Sequence, residues 1–253
     1  MSLKNLLNIS RGDTLVADRY IWLKKNLPKT QNGEKLLDVG CGSGAFTIMS
    51  ALRGYEAVGI SWDEQNQSKG IYRAKSIGVE NLCTFPIGDV RNLDELFNKQ
   101  KFDYVINFEN IEHIINDKKL FFDVYNVLKP GGFLLLTTPY INYNAMTKSD
   151  LGPFQIIENG GHVRRGYSKS MLKELCEISG FKIEKIEFCS GFFSQISTKV
   201  LRHLNKIFGL KLSWLLIFPF RVLSYFAEYM PTFLKGKCYT ICLVAYKPRF
   251  KNN

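Results

Sequence analysis

The chain is poor in the residues that mark several function classes. It has three histidines in 253 residues, and none of its six cysteines forms a CxxC pair, which leaves a zinc-finger reading without ligands. No disulfide framework suggests itself either, so reduced thiols in the cytoplasm are expected. The start, MSLKNLLNIS, lacks the apolar stretch of a signal peptide. The uncharged apolar run Leu212 to Phe220 is too short to cross a bilayer. Acids are missing from one region in particular. From Ile196 to Asn253 the chain carries ten Lys/Arg against one acid, Glu228. The rest of the chain is nearly neutral, so an anionic partner is expected near the C-terminal quarter.

What is present is a regular alternation. Apolar runs at 35–39, 55–60, 82–87, 102–108 and 133–138 read as strands. Helical spacing fills the intervals at 45–53, 65–77, 90–97 and 117–128, after a first helix at 14–27. Lys129-Pro-Gly-Gly132 reads as a turn, 168–179 as a helix, and 181–189 and 238–246 as the last strands. This is an α/β pattern, with a doubly wound, mostly parallel seven-stranded sheet. One domain is expected over 1–253, with its core at 30–190 plus 238–246. Residues 191–236 are a helical insertion before the last strand. Right-handed crossovers place the ligand at one edge of such a sheet.

Residues 36–47, LLDVGCGSGAFT, set three glycines at alternate positions after Asp38. Gly40-x-Gly42-x-x-Ala45 satisfies a dinucleotide fingerprint. An acid beside the turn suits a cationic ligand and suits a pyrophosphate badly. The stretch resembles motif I of the class I S-adenosylmethionine-dependent methyltransferases, a Rossmann-like fold. Ile87-Gly-Asp89-Val90, Phe102-Asp-Tyr-Val105 and Lys129-Pro-Gly-Gly132 follow in that family's order. The resemblance implies S-adenosyl-L-methionine as cofactor, held by Asp38, Gly40, Cys41, Gly42, Gly44, Asp89, Val90 and Asn107. The second strand ends in Ser61, where the family usually has an acid. This resembles the cyclopropane-synthase branch and implies Ser61 and Asp63 at the ribose and Trp62 against the adenine. A core position for Trp62 is the alternative.

Asn107-Phe-Glu109-Asn-Ile-Glu112-His113 follows the fourth strand. In a helix, Glu109, Glu112 and His113 would share one face. The ExxEH pattern resembles the ubiquinone-type O-methyltransferases and the small-RNA 3′-end methyltransferases. It implies His113 as base, with His162 and Glu112 beside it, or Glu109, Glu112, His113 and His162 as ligands for Mg²⁺ or Mn²⁺. Tyr140, Asn142, Tyr143, Asn144, Arg164, Arg165 and Tyr167 crowd the segment where that family builds its acceptor site.

In the insertion, Ile196, Val200, Leu204 and Ile207 form an apolar stripe, with Lys199, Arg202 and Lys206 away from it. A membrane-surface helix, an apolar lid and a packed cap all fit. The expected activity is O-methylation of a small or lipid-linked acceptor such as a glycan or quinol, in the cytoplasm or at the inner face of the membrane. Metal-dependent RNA 3′-end methylation, carbon methylation or cyclopropane synthesis on lipid, and a non-enzymatic binding module are the alternatives. Nucleic acid fits the greasy basic segment less well.

Overall fold

The computed structural model describes residues 14–98, 101–231 and 234–249. The N-terminal segment MSLKNLLNIS, read above from sequence, lies outside the described residues. The elements are α1 (Thr14–Asn26), β1 (Lys35–Val39), α2 (Ala45–Ala51), β2 (Glu56–Ile60), α3 (Glu64–Ile77), β3 (Cys83–Thr84), α4 (Leu93–Leu96), β4 (Phe102–Phe108), α5 (Asp117–Val127), β5 (Leu128–Pro139), α6 (Lys169–Ser179), β6 (Lys182–Cys189), α7 (Phe192–Leu216), α8 (Phe218–Ala227) and β7 (Thr240–Tyr246).

The strands form one seven-stranded sheet in the order β3-β2-β1-β4-β5-β7-β6. All pairings among β1–β5 are parallel, and β7 runs antiparallel between β5 and β6. Alternation along the strands divides the core in two, because successive side chains face opposite sides. Leu37, Val105, Leu134 and Leu243 point to the face covered by Leu120, Phe121 and Val124 of α5 and Leu172 and Leu175 of α6. Leu36, Ile106, Leu135 and Val244 point to the face covered by Trp22, Leu23, Ile48 and Met49 of α1 and α2. Helix ends follow their sequence signals. Asp63, Asn116 and Ser168 cap α3, α5 and α6, and Gly78 and Gly180 close α3 and α6 in the left-handed region.

Three expectations change. β3 is two residues long, with only a single bridge, Ser61 to Ile87, beyond it. Lys129–Gly132 is not a separate turn but an irregularity within β5, whose register against β4 jumps there. The insertion's first helix, expected from its apolar stripe over 196–208, starts at Phe192 and runs to Leu216, bent at Gly209, where the backbone leaves helical geometry (φ 71°, ψ 166°).

Candidate active site

The carboxyl ends of β1, β2 and β4 open onto a cleft of about 610 Å³. Gly40 and Gly42 form its floor, Ser61, Trp62 and Asp63 one wall, and Asp89, Val90 and Arg91 the next. Asn110, His113 and Ile114 face them, and Glu158, Asn159 and Gly160 close the rim. The glycines are required by space and by backbone. At Gly40 (φ 76°) a Cβ would come within 2.2 Å of the Asn110 side chain. At Gly42 (φ 50°) a Cβ would touch no protein atom, so what that bare backbone leaves room for is the contents of the cleft.

Asp38 lies behind the turn, 2 % exposed, and accepts a 2.7 Å hydrogen bond from Thr47 Oγ1. Burial pushes its pKa up to about 7, against a smaller opposing pull from Thr47. A cation beside it would hold it ionised. Cys41 also faces inward, donating to Gln67 Oε1 at 3.3 Å, with burial pushing its thiol pKa up. Gly44 packs under Phe85, and Asn107 is buried in β4. None of these four lines the cleft, although Gly40 and Gly42 on either side of Cys41 do.

Ser61 is buried, with its Oγ 3.3 Å from the Asp63 amide, and Asp63 accepts from the Asn66 amide at 2.8 Å. Trp62 is 65 % exposed, so it is no core aromatic. Its ring lies close to Gly160 of the rim, where a Cβ would come to 3.7 Å from Trp62 Cζ2. Asp89 is paired with Arg91, which holds its carboxyl below the usual range. Arg91 also reaches Glu158 at 2.6 Å, joining the rim to the wall.

The ExxEH segment is not an α-helix. Glu109 turns back with φ 49°, its amide bonded to Thr137 O at 2.8 Å, and only Ile111–His113 form a single 3₁₀ turn. Glu109 therefore leaves the shared face and pairs with Arg19 of α1 at 3.2 Å. The other three acid and imidazole groups do converge. Ligand atoms of Glu112, His113 and His162 lie within 4.8 Å of one another. The two rings meet edge to face with centroids 4.6 Å apart. Burial lowers both imidazole pKa values, and for His162 the neighbouring His113 adds to it. Both rings are thus neutral at pH 7, and His113 Nδ1 is buried without a hydrogen-bond partner. Glu112 is 1 % exposed and accepts from Thr138 Oγ1 at 3.0 Å. Burial, then the charge of Glu109, raises its pKa well above the ordinary carboxylate value.

The polar segment after β5 turns mostly inward. Tyr167 is buried and donates to Asp117 at 2.8 Å, Arg164 pairs with the same Asp117, and Tyr143 packs on Tyr239. Arg165 donates to Tyr143 O at 2.8 Å. Asn110, Arg91 and Glu158 are cleft residues that sequence reasoning missed. Arg91 and Glu158 stand 67 positions apart, with no motif between them to signal the contact.

Residues 19–186 match a family described as "Methyltransferase domain". The chain belongs to the class I S-adenosylmethionine-dependent methyltransferases. The methyltransferase domain is 29 % identical over 192 residues to the mitochondrial ubiquinone biosynthesis O-methyltransferase of Rattus norvegicus, covering 66 % of this chain and 52 % of that one. It is 26 % identical over 155 residues to the sterol 24-C-methyltransferase of Eremothecium gossypii, covering 60 % of this chain and 41 % of that one. It thus spans about half the length, or less, of these curated relatives. Among solved structures, the geranyl diphosphate C-methyltransferase of Streptomyces coelicolor A3(2) superposes with TM-score 0.62 at 16 % identity, over 91 % of this chain and 79 % of that one. That likeness is one of fold. The described residues contain no helix long and apolar enough to cross a membrane.

Proposed function

We propose that this domain methylates a hydroxyl oxygen of a small acceptor, with the His113–His162 pair receiving the proton. S-adenosylmethionine, when bound, supplies a methyl group already activated on a sulfonium. The glycine floor fits that cofactor: Gly42 leaves open space, and Asp38 behind it ionises readily beside a positive charge. Ser61 and Asp63 offer hydroxyl and carboxylate oxygens to a ribose, and Trp62 an exposed ring to a base. The chain's remaining work is alignment, exclusion of water and removal of one proton.

The observation that carries the hydroxyl reading is the neutral imidazole pair. His113 lines the cleft, and His162 meets its ring edge to face. The named relatives include both oxygen and carbon methyltransferases, so the proton acceptor is what favours oxygen. The test is mass spectrometric location of the transferred methyl, with simple catechols, quinols and sugars offered as acceptors. A methyl found on carbon would overturn the reading.

A second reading is favoured by the convergence of Glu112, His113 and His162. One carboxylate and two neutral imidazoles suit Mn²⁺ or Mg²⁺, and a cation there would favour the ionised form of Glu112. Glu109 is outside this set. Bound metal would polarise an acceptor oxygen. Paramagnetic resonance of added Mn²⁺, with His162→Ala as control, reports binding independently of turnover.

A further inference from the structure

The insertion is built inside out. On α7, Ser194, Ser197 and Thr198 are buried, and so are Ser213 at its end and Ser224 on α8. Ser213 and Ser224 satisfy their own hydroxyls on carbonyls four residues back, at 2.8 Å each. Arg221 is buried over the Trp214 ring at 4.3 Å, and Glu228 is buried against Lys235 at 2.7 Å. Most of the large apolar side chains face outward instead, Leu201 and Ile217 being buried exceptions. Phe208, Leu215, Phe218, Phe220, Phe226 and Tyr229 are all about half exposed or more, Leu215 reaching 68 %. Between 207 and 230, no charged side chain among those described is exposed. In water this arrangement is unfavourable, because the hydroxyls could have faced solvent and the rings could have packed. In hydrocarbon it is the stable one.

Charge surrounds this face. Lys199 and Lys206 are exposed on the preceding turns of α7, and Lys237 follows it. Lys25 of α1 lies over the Tyr229 ring at 4.5 Å. The face is therefore an apolar cap with a basic collar, the distribution that suits an anionic lipid surface. A second copy suits it less, since two collars would meet. α8 has ten residues, about 15 Å of helix, against a hydrocarbon core of about 30 Å. It can enter one leaflet and cannot span two.

We propose that residues 207–230 seat this protein in one leaflet of an anionic bilayer. β6 is parallel to β1–β5, since both β5 and β6 run against β7. Its end at Cys189 therefore lies on the same sheet edge as the cofactor cleft, and the insertion leaves from that edge. Docking would bring the cleft edge toward lipid.

Flotation of the full chain with vesicles tests this, using phosphatidylcholine alone and phosphatidylcholine mixed with phosphatidylglycerol. The protein should float with the anionic vesicles and release as salt is raised. Leu215→Ser, Phe218→Ser and Phe226→Ser together should lower partitioning about a hundredfold. Lys199→Gln with Lys206→Gln should remove most of the preference for phosphatidylglycerol. Calorimetry with S-adenosylhomocysteine checks that each variant is folded. If the triple variant does not fold, Leu215→Glu alone replaces it. The proposal is overturned if the native chain stays unbound. It is also overturned if the apolar variant floats equally well, or if light scattering shows a dimer that the variant dissociates.

Discussion

Replacing Asp38 by Asn should make the protein more stable and worse at holding its cofactor. Folding carries the Asp38 carboxyl from an ordinary value of 3.8 to about 7 by burying it. Each unit is worth ~1.4 kcal/mol, so an ionised Asp38 costs the empty fold ~4 kcal/mol. The sign follows from where the proton sits. Between those two values the folded chain holds a proton that the unfolded chain has released, so stability falls as pH rises across the window. The cost is absent near pH 4 and complete by pH 8. Asn cannot ionise, and its Oδ1 can still accept from Thr47 Oγ1. With relaxation of the site, we expect a gain of ~2 kcal/mol at pH 8, some 4–8 °C in Tm, and little change near pH 4. Affinity moves the other way. The cofactor's positive groups lose their carboxylate, and Kd should rise ~30-fold or more at pH 8. Native affinity should itself strengthen as pH rises through about 7, where Asp38 ionises. Urea denaturation across pH 4–8, paired with calorimetry using S-adenosylmethionine, reads both. A variant destabilised equally at every pH, with unchanged affinity, would refute the reasoning.

Three further outcomes are expected. His113→Gln should lower turnover by ~10²–10⁴ with little effect on cofactor affinity. It should also remove the acidic limb of the pH–rate profile, which in the native enzyme lies below the usual histidine value because burial lowers both imidazoles. Gly42→Ala should lose only the ~1–2 kcal/mol of its left-handed backbone, since its Cβ meets no protein atom, yet bind S-adenosylhomocysteine weakly; Gly40→Ala, which also drives a Cβ into Asn110, should lose more stability as well as binding. Glu228→Ala strands a buried Lys235 and uncaps the Ser190 and Gly191 amides, so equilibrium unfolding should show a loss of ~3–5 kcal/mol.

The sheet was legible because its signals are local. Apolar runs of strand length, glycine stops and polar caps stand next to the elements they define, and the glycine turn after Asp38 announces the cleft floor. The acids of the candidate cluster were harder to place. Spacing puts Glu109, Glu112 and His113 on one helical face only if the segment is helical, and a single long-range bond from the Glu109 amide to Thr137 prevents that. His162 reached the cluster all the same, brought there by a loop whose amide at Val163 bonds to Glu112 O at 3.0 Å. The insertion misleads for another reason. Periodicity reports that a helix has an apolar side, not which side the protein covers. Of the stripe read from sequence, Ile196, Val200 and Leu204 are half-buried and Ile207 is exposed, while Leu201, Ser197 and Thr198 pack fully. The same limit hides Arg91 and Glu158, whose pairing depends on two loops meeting.

Cys189 and Thr240 are paired across β6 and β7, so the chain leaves the sheet and returns to it at one point. Fifty positions of sequence hang from a gap that a short hairpin could bridge. Such a splice site lets the excursion be lengthened, exchanged or cut away while every strand keeps its neighbours. The insertion can therefore drift independently of the strands that carry the cleft.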